Sequence, residues 1–463
     1  MLLLTVTALV AVVVASPPAH AAGTTTCTVN GVVQNASAEN GYTITAPNGR
    51  NNTIVCANGI DAGDSVRGGT GGANTITVSS GVAGSLSSSG AGDRVSVTTT
   101  IGTAILPGAE ISVNGPSATV TIHAATDANA GADSGNAGTI SLGSGDISLT
   151  VNTGGRGDGN KGVITTASSG PLVLGAGAFA GGGAGNSGTV TATGTSLNLR
   201  AAGSPGNSGT IDARAASTAT IGLDVIGSGG TPGNGASGRV YGASAHNDIT
   251  AESGSGPGNA GLISAPGRNS NTVTARATGL LTGLVGVGAA GNSGTIVTGS
   301  GTSTVSLTGR DFAIGGPGNS GTVTTGGPGT VQATGGTGGS TGGTGNTGTI
   351  RTGDGIVTVT LTGGPGGGAG NTGTVQTGPG GGTVRVTGGN NTFSTGGNGN
   401  DRGGTITGGP GNDTFILTGG SPQSILGFFS NTGNAGEVDG GGGSNTCTIT
   451  PASTGTVTNC PSS

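Results

Sequence analysis

The chain has 463 residues, 109 of them glycine and 18 proline, with 7% charged residues, 2% aromatic residues, no tryptophan and a formal net charge of −5. An acidic, charge-poor surface excludes electrostatic binding to nucleic acid. Glycine costs about 1 kcal/mol relative to alanine inside a helix, and no long apolar pattern of helical period follows residue 21, so helices are disfavoured.

In chain order, Leu2 to Ala15 is an apolar run followed by Ala19-His20-Ala21, a small-x-small cleavage signature. The run is shorter than the roughly 20 residues that span a bilayer, so 1–21 reads as a secretory signal peptide and the mature chain as secreted, extracellular or attached to a cell surface. Residues 22–57 read as an N-terminal cap. From 58 to 133 the alternating stretches Asn74–Val78, Arg94–Val97 and Ala118–Ile122 read as strands of irregular β-solenoid coils. A regular repeat occupies 134–440, and 441–463 reads as a C-terminal cap. The four cysteines, Cys27, Cys56, Cys447 and Cys460, allow three pairings. A rod keeps its ends apart, which favours Cys27–Cys56 and Cys447–Cys460, each stapling one cap.

The regular repeat is typified by Gly-Asn-Ser-Gly-Thr-Val at 185–190. Near-copies are anchored on twelve asparagines: Asn136, Asn160, Asn186, Asn207, Asn234, Asn259, Asn292, Asn319, Asn346, Asn371, Asn400 and Asn434. Their mean spacing is about 27 residues, in the range of solenoids and propellers. A Val or Ile follows each, from Ile140 to Val438. Gly and Asn tolerate left-handed backbone, so Gly-Asn-x-Gly reads as a tight turn, and the β-branched residue opens a strand. A second strand often follows, as at Val357–Thr360. Two short strands per period do not make a four-stranded propeller blade. A disordered low-complexity chain would have no reason to keep one branched aliphatic per period. The expected fold is therefore all-β: a parallel β-helix (β-solenoid) with about 27-residue coils and disulfide-stapled terminal caps. Its Val/Ile column would fill the core and its asparagines would form an amide ladder. The interval widens before Asn292 and Asn434, which places loops there; the second loop contains Ile425–Phe429, read as a plug under the C-terminal cap or a partner patch.

Gly408–Ile416 matches every position of the nonapeptide G-G-x-G-x-D-x-U-x, and Gly396–Asp401 matches its first six. This stretch resembles the calcium-binding repeat of RTX proteins, which implies calcium at the C-terminal end with Asp401 and Asp413 as ligands. The repeat type as a whole is similar to secreted bacterial β-solenoids of adhesins and autotransporter passengers. That resemblance implies a role at glycans or other cell-surface components, with no membrane insertion.

Other chemistry is sparse. After residue 21 there are two histidines, His123 and His246, and one lysine, Lys161. His246-Asn247-Asp248 reads as an inert exposed triplet. Glycoside cleavage needs facing carboxylates, and stacking would have to bring Asp212 or Asp224 beside an acid of another coil. Around the Val/Ile column Thr-x-Thr occurs at Thr189/Thr191, Thr322/Thr324 and Thr405/Thr407, but Asp212, Val297, Arg351 and Gln376 interrupt its second position, a mixed face for ice. The expectation is a non-catalytic extracellular structural or adhesive rod, with a polysaccharide hydrolase or lyase as the alternative and an ice-binding protein behind it.

Overall fold

One branched aliphatic per coil is enough to build a continuous core when coils stack in register. In the computed structural model of the protein, which describes residues 25–35, 41–124, 133–176, 182–225, 230–278, 286–391, 395–421 and 431–461, they do. The signal-peptide segment and Ile425–Phe429 lie outside the described residues.

Two parallel sheets run the length of the rod. The narrower is built from short strands such as Thr189–Ala192, Thr210–Asp212, Thr322–Thr324 and Thr349–Arg351. Its central column, Ile140, Ile164, Val190, Ile211, Val240, Ile263, Ile296, Val323, Ile350, Val375, Ile406 and Val438, is fully buried in every copy. The broader sheet is built from longer strands, among them Ser196–Gly203, His246–Ser253, Thr302–Thr308, Val357–Thr362 and Asp413–Thr418. These alternate buried and accessible residues, and send pairs such as Val305 and Leu307, or Phe415 and Leu417, into the same core. Each strand pairs only with the strands one coil above and below, so both sheets are open stacks. The narrow one ends at Thr43–Thr45 and Thr456–Thr458.

The third corner carries the asparagines. All twelve are completely buried. In eleven successive steps the side-chain Nδ2 of one donates to Oδ1 of the next at 2.7–2.9 Å. The second Nδ2 hydrogen goes to a glycine carbonyl of its own coil, as Asn319 to Gly321 at 3.2 Å. The ladder ends on Ser453 Oγ, 3.0 Å from Asn434. At its start the same corner is occupied by Ile60, Val82 and Ile105, which bridge in line to Asn136. The described part of 58–133 is therefore in register with the rest. From Ile60 to Asn434 there are fourteen steps, which at about 4.8 Å each give a rod of about 70 Å.

The motif works differently from the left-handed turn expected of it. Neither Asn186 nor Gly188 has a positive φ. The asparagine is there for its buried amide, and Gly188 for proximity: a Cβ there would overlap the carbonyl oxygen of Gly162 in the coil before.

After each long strand the chain swings through a glycine-rich return. From Ala289 to Gly420 the returns are tied by one zigzag of backbone hydrogen bonds. Gly336 N–H donates to Gly316 (2.8 Å), Gly343 to Gly336 (2.8 Å), Gly364 to Gly343 (2.7 Å), Gly389 to Gly368 (2.7 Å) and Gly420 to Gly397 (2.8 Å). A Cβ at Gly343 would sit on the carbonyl of Gly316, which is why this layer is bare backbone.

The ends differ. Thr26–Val29 and Val32–Asn35 form a hairpin, and Thr26–Val29 lies antiparallel to Asn52–Cys56, covering the first coil. Disulfides join Cys27 to Cys56 and Cys447 to Cys460, as the spacing suggested. The C-terminal segment is itself a coil: Thr446–Thr450 extends the broad sheet and Thr456–Thr458 the narrow one.

Replacing Asn319 by Ala would leave one hydrogen of Asn292 Nδ2 and the Oδ1 of Asn346 without their partner inside the core, while Asn292 keeps its bond to the Gly294 carbonyl. Two orphaned buried groups cost roughly 2–5 kcal/mol in total. The expected result is a destabilisation of that size in denaturant melts, whereas Asn58→Ala, on the exposed surface, leaves the midpoint unchanged.

Candidate functional site

A second interior corner, where the chain enters the broad sheet, also stacks polar side chains. At the N-terminal end Asn30 donates to Asn52, Asn52 to Asn74 and Asn74 to Asp93, each at 3.0 Å. Midway, Asn247 Nδ2 donates to Asn271 Oδ1 (2.9 Å) and to the carbonyl of Ala243 (2.9 Å), while its Oδ1 accepts from Ala243 N–H (2.6 Å). At the C-terminal end the same position is Asp413, beside Gly382 in one neighbouring coil and Asn445 in the other.

Asp413 is 1% exposed. Its backbone N–H donates to Asn445 Oδ1 (2.8 Å) and its Oδ2 accepts from Gly409 N–H (3.1 Å), four residues back, as Asn247 Oδ1 does from Ala243. Oδ1 therefore takes the place that an amide nitrogen fills in Asn247, and it has no hydrogen-bond partner. Burial pushes the Asp413 carboxyl above the usual carboxylate range, against hydrogen bonds from Thr377 and Gly409 that lower it.

Asp401 is elsewhere. It follows the Asn400 corner, separated from Asp413 by the short strand Thr405–Thr407, and its Oδ1 accepts from Asn398 Nδ2 (2.6 Å) and Arg402 N–H (2.8 Å). The two carboxylates do not meet. Calcium takes about six to eight oxygens; the Asp413 corner supplies one carboxylate and, through Asn445, one amide oxygen. No group of three or more His, Cys, Asp or Glu converges among the described residues.

Outside the corners, two surface features gather chemistry. On the broad sheet Asp224 and Glu252 stand side by side on adjacent coils, and Glu252 next to Arg276. Arg200 Nε holds Asp224 Oδ2 at 2.6 Å, and Arg276 lies 3.9 Å from Glu252 Oε1. Stacking thus gives Asp224 the acidic neighbour that its sequence position left open. Asp212 has none; its column neighbours are Thr191 and Tyr241, and the Arg214 guanidinium, bonded at 2.6 and 3.0 Å, holds its carboxyl below the usual range. His246 opens a strand rather than sitting in a loop. Its ring bridges to the next coil through Ser270 (2.9 Å) and Asn269 (3.1 Å).

The second feature is a groove of about 540 Å³ along the corner that follows the short strands. Its walls are Arg351, Gln376, Thr352 and Thr377, and its floor is Gly378, Gly408 and Gly409 between Pro379 and Pro410. Arg351 and Gln376 are stack neighbours, both exposed. The sequence showed these two only as interruptions of a threonine column.

Comparison of the chain with protein-family models, with curated proteins and with solved structures finds no match in any of the three. The β-solenoid is therefore established by its own geometry. The two disulfides point to an oxidising, extracellular environment. No helix among the described residues is long and apolar enough to cross a membrane.

Because its carboxyl is raised in the folded state, Asp413 supports the fold fully below the ordinary carboxylate range. That support is lost as pH rises through the raised value. Asp413→Asn restores the missing donor and is expected to stabilise the protein at pH 7 by about 1–3 kcal/mol, with a smaller difference in acid. The melt is expected to be the same in EDTA and in millimolar calcium. A calcium-dependent rise in the midpoint that disappears in the variant would instead assign the free Oδ1 to the ion.

Proposed function

We propose that this protein is a non-catalytic, secreted structural or adhesive rod that binds glycans or other surface components through its flanks. The observation that supports this reading most directly is the pair of unbroken sheets around a dry core, with outward positions mostly threonine and serine. Such a rod presents many weak hydrogen-bonding groups in fixed order and spends little entropy on binding. The Arg351–Gln376 groove is a place on it suited to a sugar: two exposed donors beside glycines that let a ring approach the backbone. Tyr42 and Tyr241 lie away from this groove, so recognition there is by hydrogen bonds rather than by stacking on an aromatic ring. The leading segment 1–21 would direct export.

A glycan array probed with the oxidised protein is expected to show retention of neutral or acidic polysaccharides. Arg351→Ala with Gln376→Ala should weaken it about tenfold, equivalent to 1.4 kcal/mol. No retention, or retention indifferent to both substitutions, removes the groove from this role.

The catalytic alternative rests on one observation, the Asp224–Glu252 pair between Arg200 and Arg276. Paired carboxylates can divide acid and base roles in glycoside cleavage. Each of these is already beside a guanidinium on an open sheet, which favours a structural ion network. Incubation with pectin, alginate and glycosaminoglycans should give no turnover. Cleavage abolished by Glu252→Gln would replace the rod reading with an enzyme.

A further inference from the structure

The outward face of the broad sheet changes character along the rod. Between residues 196 and 277 it carries Arg200, Asp224, Asp248, Glu252 and Arg276. Beyond Thr302 two of its columns become unbroken threonine. One is Thr304, Thr330, Thr358, Thr383, Thr414 and Thr446; the other, four residues on, is Thr308, Thr334, Thr362, Thr387, Thr418 and Thr450. The column between them is Ser306, Gln332, Thr360, Arg385, Ile416 and Thr448, so the coil at Thr358–Thr362 presents Thr-x-Thr-x-Thr.

The six strands pair in parallel with no shift of register. All twelve outer-column threonines are accessible to solvent. Threonine's branched Cβ restricts χ1, so neighbouring coils repeat the same presentation of hydroxyl and methyl. The result is a two-dimensional grid. Its repeat is about 4.8 Å along the rod and about 6.7 Å between successive outward positions on a strand. Only Arg385 brings a formal charge into the six coils of this face.

A ligand matched to such a grid must itself repeat in two dimensions on the same scale. A single glycan chain repeats in one dimension and would engage one row of the grid only. A protein partner would need a contiguous apolar centre. Layers of water in a crystal have the required repeat, and the alternation of methyl and hydroxyl groups both orders the first water layer and joins it by hydrogen bonds. The geometry points to ice as the ligand of this face. The mixed face around the Val/Ile column does not carry this function; the array lies on the other sheet. The inference is independent of the glycan groove, which runs along a different corner.

The test is thermal hysteresis and ice shaping by the purified, oxidised full chain. The expected result is a freezing gap with faceted crystals. Thr358→Tyr with Thr383→Tyr, two half-buried outward positions in mid-array, should abolish most of it without changing the circular dichroism melt. Thr324→Tyr on the narrow sheet serves as the control and should retain it. Absence of hysteresis and shaping in the unsubstituted protein overturns the inference. So does equal activity in the double variant, or an equal loss in the control. Glycan retention without ice activity would leave the groove standing and remove only this face.

Discussion

An amide buried in a protein has two hydrogens to place and an oxygen to satisfy, and here a glycine of the same coil takes one hydrogen while the same amide one coil away takes the other. Asn160 is satisfied by Asn136 and Asn186, Asn186 by Asn160 and Asn207, and so on to Asn434. A slip of one coil by a single residue would turn every member out of line and leave buried polar atoms without partners, at about 1–3 kcal/mol each. The ladder thus fixes the register that the aliphatic column alone, being non-directional, would leave soft. The parallel pairing of both sheets, the fit of Gly188 against the coil before it and the alignment of the outward columns all follow from that register.

The parts of the structure that recur at a nearly constant offset from the asparagine were legible in the chain. The amide ladder and the Val/Ile column, four to six residues after each asparagine, are of this kind, and the end disulfides were legible from the placing of the four cysteines. The role of the motif glycines was misread because glycine signals both positive φ and close approach, and only coordinates separate the two. The broad sheet's columns were harder to see for a geometric reason. The turn between the narrow and broad strands varies in length, so Thr330 and Thr414 stand eleven and fourteen residues after Asn319 and Asn400, where Thr304, Thr358, Thr383 and Thr446 stand twelve after their asparagines. Aligning on the second strands instead would have exposed the Thr-x-Thr-x-Thr pattern. Asp224 beside Glu252 was hidden by the same variation. Asp413 was visible, but its surroundings were not: nothing in Gly408–Ile416 says that its stack neighbours are Gly382 and Asn445.

The rod is not uniform in surface chemistry although it is uniform in backbone. Ionic groups gather between residues 196 and 277, the neutral hydroxyl grid follows, and the groove of Arg351 and Gln376 faces another direction. A repeated backbone lets each stretch of surface be specified separately, because outward side chains contribute little to the core that holds the coils together.

The glycine zigzag from Ala289 to Gly420 has a mechanical meaning. Every second bond of it, such as Gly336 to Gly316 and Gly364 to Gly343, links one coil to the next along the rod axis, as do the bonds of the sheets and the amide ladder. A pull along that axis loads the coil interfaces in series, so the weakest interface yields first. A sideways load on a flank is shared among many coils at once. The molecule is therefore built to resist bending better than stretching, and the disulfides sit at its two ends, where a series chain would otherwise begin to peel.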